Sequence, residues 1–425
     1  MGSMELGHLL QSRAKRRNLR MLAHGRRILF LMLPLGAFTG WIMGLAVAAY
    51  LALSERFQHS LTQNHLILFL PLVGLPLATS ILALGGVGEV TLGEDLELSH
   101  KDPYKAFPFW KTLVKVAACF ATIFLGGSAG LEGPGKWFGA AVGLQCHRFV
   151  RFLSHRVKFI RRLLIDAHTM VACGAAGALA SVFRAPLSAA LFAAEHDGTV
   201  RTPNLVPTLV ASASGYLVFA AMVGHSPLLA LTRPYSLNWH EIWMAIPLGL
   251  ACGLGSSFFS AAQATFRRRL AWIPLPLRGF AGALGLVLLM LPGHLLLPDV
   301  PVVRGGGVEL VNHLLTAPPS LRLALIFLGV KILATALTLG SGGIGGTWLP
   351  AVAMGACLGS AFDAWLLPSY PGLLTMLGAT AFAGAFNETM LVPVVFLAET
   401  TAQAALVVPA LVATAVAFLV AREWD

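Results

Sequence analysis

Charge is what this sequence has least of. Of its 425 residues only 12% are Asp, Glu, Lys or Arg, and the acidic side chains number just 19. A soluble domain usually carries about a quarter of its residues charged, so a water-bathed globule is excluded. With 56% hydrophobic residues and a mean hydropathy of +0.75, the chain reads as an integral membrane protein. Uncharged runs at 28–54, 57–88, 202–232, 242–266, 279–298, 332–362, 364–387 and 400–421 are each long enough for a span of roughly 20 residues.

Other absences narrow the function. The five cysteines (119, 146, 173, 252, 357) are scattered and form no C-x-x-C, which gives no disulfide or metal framework. The 13 histidines are dispersed without an H-E-x-x-H pair, and no paired aspartate motif occurs, so nothing points to an enzyme, a resident metal or a cofactor. The net charge of +11 gathers in "RAKRRNLRMLAHGRR" (13–27), "HRFVRFLSHRVKFIRR" (147–162) and "RRR" (267–269). Beside apolar spans such clusters set cytoplasmic topology and meet anionic lipid, a better reading than nucleic acid. The first apolar run is too long for a signal-peptide core. Residues 1–27 therefore read as an uncleaved, basic cytoplasmic segment.

What is abundant is glycine (44) and proline (24), and both fall inside the apolar runs, as in "GGSAGLEGPG" and "GSGGIGGTWLP". Broken backbone at membrane depth is tolerated only where protein buries it or it lines a cavity. The breaks also repeat. Lys115, Gly126, Gly127, Gly130, Pro134, Gly139 and Gly143 recur at a shift of 216 as Lys331, Gly342, Gly343, Gly346, Pro350, Gly355 and Gly359. A second echo, at a shift of 204, relates "FAAE" ending at Glu195 to "FLAE" ending at Glu399. One unit is used twice, over 28–225 and 238–421, and matched broken helices point to a transport site between the halves. Periodicity alone leaves open whether the repeats are parallel or inverted.

In each half the repeated element is Gly-x-x-x-Pro followed by G-x-x-x-G. Pro134 and Pro350 suit the first turn of a helix, where a missing N–H is no loss. The resulting helix starts point unsatisfied amides and a positive dipole end into the membrane, which attracts an anion without trapping it. The G-x-x-x-G pairs read as close helix packing. Glu132 is different: a carboxylate in the membrane is costly and marks function. At a helix start its charged form occupies the place of an anion, and protonation frees that place.

These residues resemble a known family. "GLEGP" (130–134) is similar to the G-[RK]-E-G-P signature of the CLC chloride channels and chloride/proton antiporters, and "GGTWLP" (345–350) to their G-G-x-F-x-P element. "RAPLSAALFAAE" (184–195), "RGGGVEL" (304–310) and "FLAET" (396–400) resemble further segments, and the likeness covers roughly 28–421. The resemblance implies an all-α polytopic membrane fold, a CLC-type inverted repeat of many tilted and broken helices, assembled as a homodimer in the bacterial inner membrane. It implies chloride or another small anion as substrate, protons as the coupled species, Glu132 as gate, and anion sites at Val87, Gly88, Gly130, Leu131, Gly133, Thr347 and Trp348.

The chain departs from the family in four places. Val87, in "GVGEV", stands where the family serine offers its hydroxyl, which opens selectivity to fluoride or nitrate. His196 stands where the family has its inner proton glutamate; as a group titrating near neutral pH it reads equally as a relay or a packed residue. All five tyrosines precede Pro371, so either the inner gate is built differently or a terminal pore helix lies beyond Asp425. Leu131 replaces the signature's basic residue and Trp348 its phenylalanine. No cytoplasmic nucleotide-binding domains follow, the bacterial style of the family.

Lys115 and Lys331 read equally as pathway cations or as interfacial side chains. Glu195 and Glu399, which end small apolar helices in both halves, read as structural groups, hydrogen-bonded or ion-paired near an interface, while Lys136 and Glu388 receive no role. An uncoupled anion channel and a fluoride- or nitrate-preferring exchanger are the alternatives within this reading. A cation-coupled organic solute carrier is the rival from another class, and it would show more buried acids than one central glutamate.

Overall fold

The computed structural model describes residues 29–53, 68–88, 101–161, 164–196, 199–200, 202–229, 239–296, 300–367 and 372–424, with a few single positions besides. The expected basic segment 1–27 lies outside them, Gly25 apart. The first half runs α1 (Leu29–Leu53), α2 (Pro71–Leu84), α3 (Phe109–Phe124), α4 (Glu132–Arg156), α5 (Ala167–Phe183) and α6 (Pro186–Ala194), then α7 (Thr202–Val223). Between α6 and α7 two-residue strands, Glu195–His196 and Thr199–Val200, pair antiparallel. The second half runs α8 (Trp239–Leu270), α9 (Leu275–Leu296), α10 (Val308–Thr316), α11 (Leu321–Gly340), α12 (Trp348–Leu366), α13 (Leu373–Phe386), α14 (Leu391–Thr401) and α15 (Val407–Trp424).

Among the described residues, six helices are long and apolar enough to cross a membrane. Others are too short: α2, with 14 residues, is about 21 Å long against a hydrocarbon core of about 30 Å. The uncharged run 332–362 is not one span. It closes α11 at Gly340 and opens α12 at Trp348, because "SGGIGGT" between them cannot hold a helix. Exposed Trp239 and Trp272 flank α8, as at the two interfaces of a bilayer.

The halves are related by an inverted repeat, and the sense is visible in the bonds. Gly130 N–H donates to the Gly346 carbonyl at 2.8 Å and Gly346 N–H donates back to Gly130 at 2.9 Å, an antiparallel bridge between equivalent residues. The strands entering α4 and α12 therefore run in opposite directions. Ser128 N–H donates to Thr338 Oγ1 at 3.0 Å, and its mirror, Ile344 N–H to Thr122 Oγ1, is 3.3 Å. Gly126 and Gly342, also equivalent, share a left-handed turn at φ 94° and 90°.

The second echo is reciprocal too. Glu399 accepts from Leu187 N–H at 2.8 Å and from Ser188 N–H and Oγ–H, both at 2.7 Å, at the start of α6. Glu195 accepts from Met390, Leu391 and Val392 N–H at 2.9, 3.4 and 3.3 Å at the start of α14. Each short helix ends in the acid that caps the other, which satisfies orphan amides and suits both dipoles. Glu388 precedes α14 as Arg184 precedes α6, both left-handed at φ 52° and 51°; nothing in the structure explains the acidic side chain there.

The G-x-x-x-G pairs pack as expected. A methyl at Gly139 or Gly143 would overlap the backbone of α5, and one at Gly355 or Gly359 that of α13. These two helix pairs form the dense centre on which the site is mounted.

Candidate functional site

The starts of α4 and α12 converge on one carboxylate. Glu132 is the first residue of α4 and only 1% exposed. Its Oε1 accepts from Leu349 N–H, in the first turn of α12, at 3.1 Å. Its Oε2 is buried without a hydrogen-bond partner. Gly130 and Gly346 leave the room: a methyl on either would fall on the carboxyl group. An acid is thus held by the amides of the opposite half, between two positive helix ends, with one oxygen unsatisfied.

The structure brings together most of the expected residues. Leu131 and Thr347 are the cap residues of the two helices, and Gly133 lies so close to Gly346 that a side chain is excluded. Pro134 and Pro350 each stand third in their helix, where neither displaces a helical hydrogen bond. Gly130 commits its N–H to the bridge with Gly346, so its part is to form the crossing. Trp348 is 1% exposed, boxed by Phe183, Phe396 and Phe192 with ring centroids at 4.7, 4.6 and 6.0 Å.

The remaining members take local partners. Val87 is buried and its N–H donates to the Leu82 carbonyl at 3.0 Å, closing α2; Gly88 is exposed, and the chain from 89 to 97 lies outside the described residues. His196 pairs with Thr199 in the short ribbon, and its side chain lies outside the described residues.

The buried lysines take different partners. Lys331 donates to the Gly305 carbonyl at 2.9 Å and the Arg304 carbonyl at 3.4 Å, pinning the glycine stretch before α10. Its counterpart Lys115 faces the Trp137 ring at 5.6 Å. Lys136, one turn beyond Glu132, lies over the Phe192 ring at 4.0 Å.

Asp363, near the end of α12, escaped the sequence reading. It accepts from Gly372, Leu374 and Thr375 N–H and from Thr375 Oγ–H at 2.7 to 3.0 Å, capping α13. The signal was available: it is the one charge that divides the apolar stretch 332–387. Gly126–Gly130 also spells G-x-S-x-G, yet Ser128 is fully buried and its Oγ meets Thr335 Oγ1 at 2.8 Å. It braces the crossing of the halves.

The comparisons agree with this geometry. The H(+)/Cl(-) exchange transporter ClcA of Vibrio campbellii is 27% identical over 343 residues, 76% of this chain and 69% of that relative. A slow cyanobacterial Cl-/H+ antiporter shares the fold with a TM-score of 0.74 at 20% identity, covering 94% of this chain and 95% of that one. A CLC-type fluoride/proton antiporter gives 0.74 at 24% identity, covering 93% and 95%. The family model described as "Voltage gated chloride channel" matches residues 94–422. The chain is thus a multi-pass integral membrane protein that belongs to the voltage gated chloride channel, or CLC, family.

Proposed function

We propose that the protein moves a small anion, chloride in the first instance, across the membrane in exchange for protons, with Glu132 as the protonatable gate. The observation that carries this reading is the seat of the carboxylate. A charged Glu132 takes the amides of α12 and the dipole ends of both helices, the groups that would otherwise receive an anion. A protonated Glu132 loses that advantage and yields the seat, so proton binding and anion entry are linked at one place.

The Leu131, Gly133, Thr347 and Trp348 backbone supports the anion next to the gate, and His196 takes the proton on the inner side. The two repeats, 28–225 and 238–421, form one pathway per subunit, with two subunits in a bacterial inner membrane. A fluoride-preferring exchanger is the second reading, favoured by Val87: an isopropyl group there offers no hydroxyl to a chloride-sized ion. Neither reading routes a step through a metal or cofactor.

The test is flux from liposomes holding purified protein, with chloride, fluoride and nitrate compared at two pH values while proton movement is followed separately. The account expects selective anion movement accompanied by protons. Equal passage of organic solutes, or no anion movement at all, would remove it.

A further inference from the structure

Inside the gate, two buried donors point to a ligand of their own. Lys136 follows Glu132 by four residues on α4 and so shares its helix face, one turn toward the basic end. It is 8% exposed. Its ammonium rests on the Phe192 ring at 4.0 Å, and among the described residues no ion pair within 4.0 Å joins it to an acid. Trp348 begins α12, in the other half. Its indole Nε1 is buried with no hydrogen-bond partner, and its ring meets the same Phe192 edge-to-face at 6.0 Å.

A buried indole N–H without an acceptor costs stability, and a buried ammonium whose nearest carboxylate, Glu132, makes no ion pair with it within 4.0 Å is compensated only in part. A cation–π contact offsets only part of that. What is missing is an acceptor, and the positive starts of α4 and α12 add to the same demand. A monovalent anion against the Phe192 ring, which both groups touch, would supply that acceptor. Glu132 Oε2, buried without a partner as Trp348 Nε1 is, is itself an acceptor and competes for the same donors.

We infer that Lys136 and Trp348 are side-chain ligands for a small monovalent anion held one turn inside Glu132, against the Phe192 ring. The site rests on the proposed anion-transport function and deepens it. It supplies from α4 and α12 the side-chain donors that Val87 does not offer from the end of α2. Selectivity in this chain then depends on one ammonium and one indole instead of one hydroxyl.

The test is calorimetric titration of purified full-length protein with sodium chloride and sodium fluoride, in a Glu132→Gln background that removes the competing carboxylate. Lys136→Met keeps the length and loses the charge, and is expected to weaken binding about tenfold or more, the scale of a charge-assisted hydrogen bond. Trp348→Phe keeps the aromatic packing and loses the donor, with an expected loss of about threefold to tenfold. Anion affinity unchanged in both variants overturns the assignment while leaving anion transport intact. No anion binding in the Glu132→Gln parent, together with no flux in wild type, overturns both. Should Lys136→Met fail to fold, Trp348→Phe and Lys136→Arg decide: the first must weaken binding and the second must keep it.

Discussion

Gly130 and Gly346 bond to each other, N–H to carbonyl, at 2.8 and 2.9 Å. They are the same residue of the repeat, 216 positions apart, so the local two-fold axis of the fold passes between them. Glu132 lies against that axis and breaks its symmetry, because the equivalent residue is Trp348. One half contributes an acid and the other an aromatic donor to the same crossing.

Crowding this crossing has a definite consequence. In Gly346→Ala the new methyl falls on the Glu132 carboxyl and must displace it. Overpacking of this kind costs about 1–3 kcal/mol, so thermal unfolding in detergent is expected at a lower temperature. Anion flux should lose part of its pH dependence as the acid is driven from its seat. An unchanged Tm together with an unchanged pH profile would show that the carboxyl does not rest there.

The reciprocal caps predict a different phenotype. Glu399→Gln replaces a carboxylate that accepts three hydrogen bonds at the start of α6 with an amide whose NH2 meets N–H donors. A loss of about 2 kcal/mol is expected, on the scale of hydrogen bonds to charged groups. Glu195→Gln should lose a similar amount at α14, and neither should alter the order of anion preference. A selectivity change at normal Tm would mean that these acids face the pathway.

Much of this was legible in the chain. The 216-residue shift shows because a turn at Gly126 and Gly342 and a crossing at Gly130 and Gly346 each demand glycine, so both copies spell the requirement alike. The inverted sense is not legible, since spacing carries no direction; it needs the bridge. Glu195 and Glu399 announce themselves as a pair, but each caps a helix 195 to 212 residues away, and sequence supplies no such distance. Lys136 had no reading for the same reason: Phe192, its partner, comes from α6. Hydropathy alone would make the run 332–362 one span, but its glycines, read as a break, end α11 at Gly340 and let α12 open at Trp348.

His196 carries its own prediction. On the proposed function, in which it takes the proton on the inner side, His196→Ala should lower proton flux while anion flux continues, measured in the same liposomes with a pH electrode and an anion-selective electrode. A proton-to-anion ratio equal to wild type removes it from the path.

The central claim is that Glu132 competes with the anion and yields when protonated. Lower pH should therefore raise wild-type anion flux, because the neutral carboxyl no longer holds the seat, and each cycle should carry protons. The most direct measurement is anion and proton flux from liposomes holding Glu132→Gln across a pH series. The account predicts anion flux that persists, is flat with pH and moves no protons. Flux in Glu132→Gln that keeps the wild-type pH dependence and proton movement would contradict it.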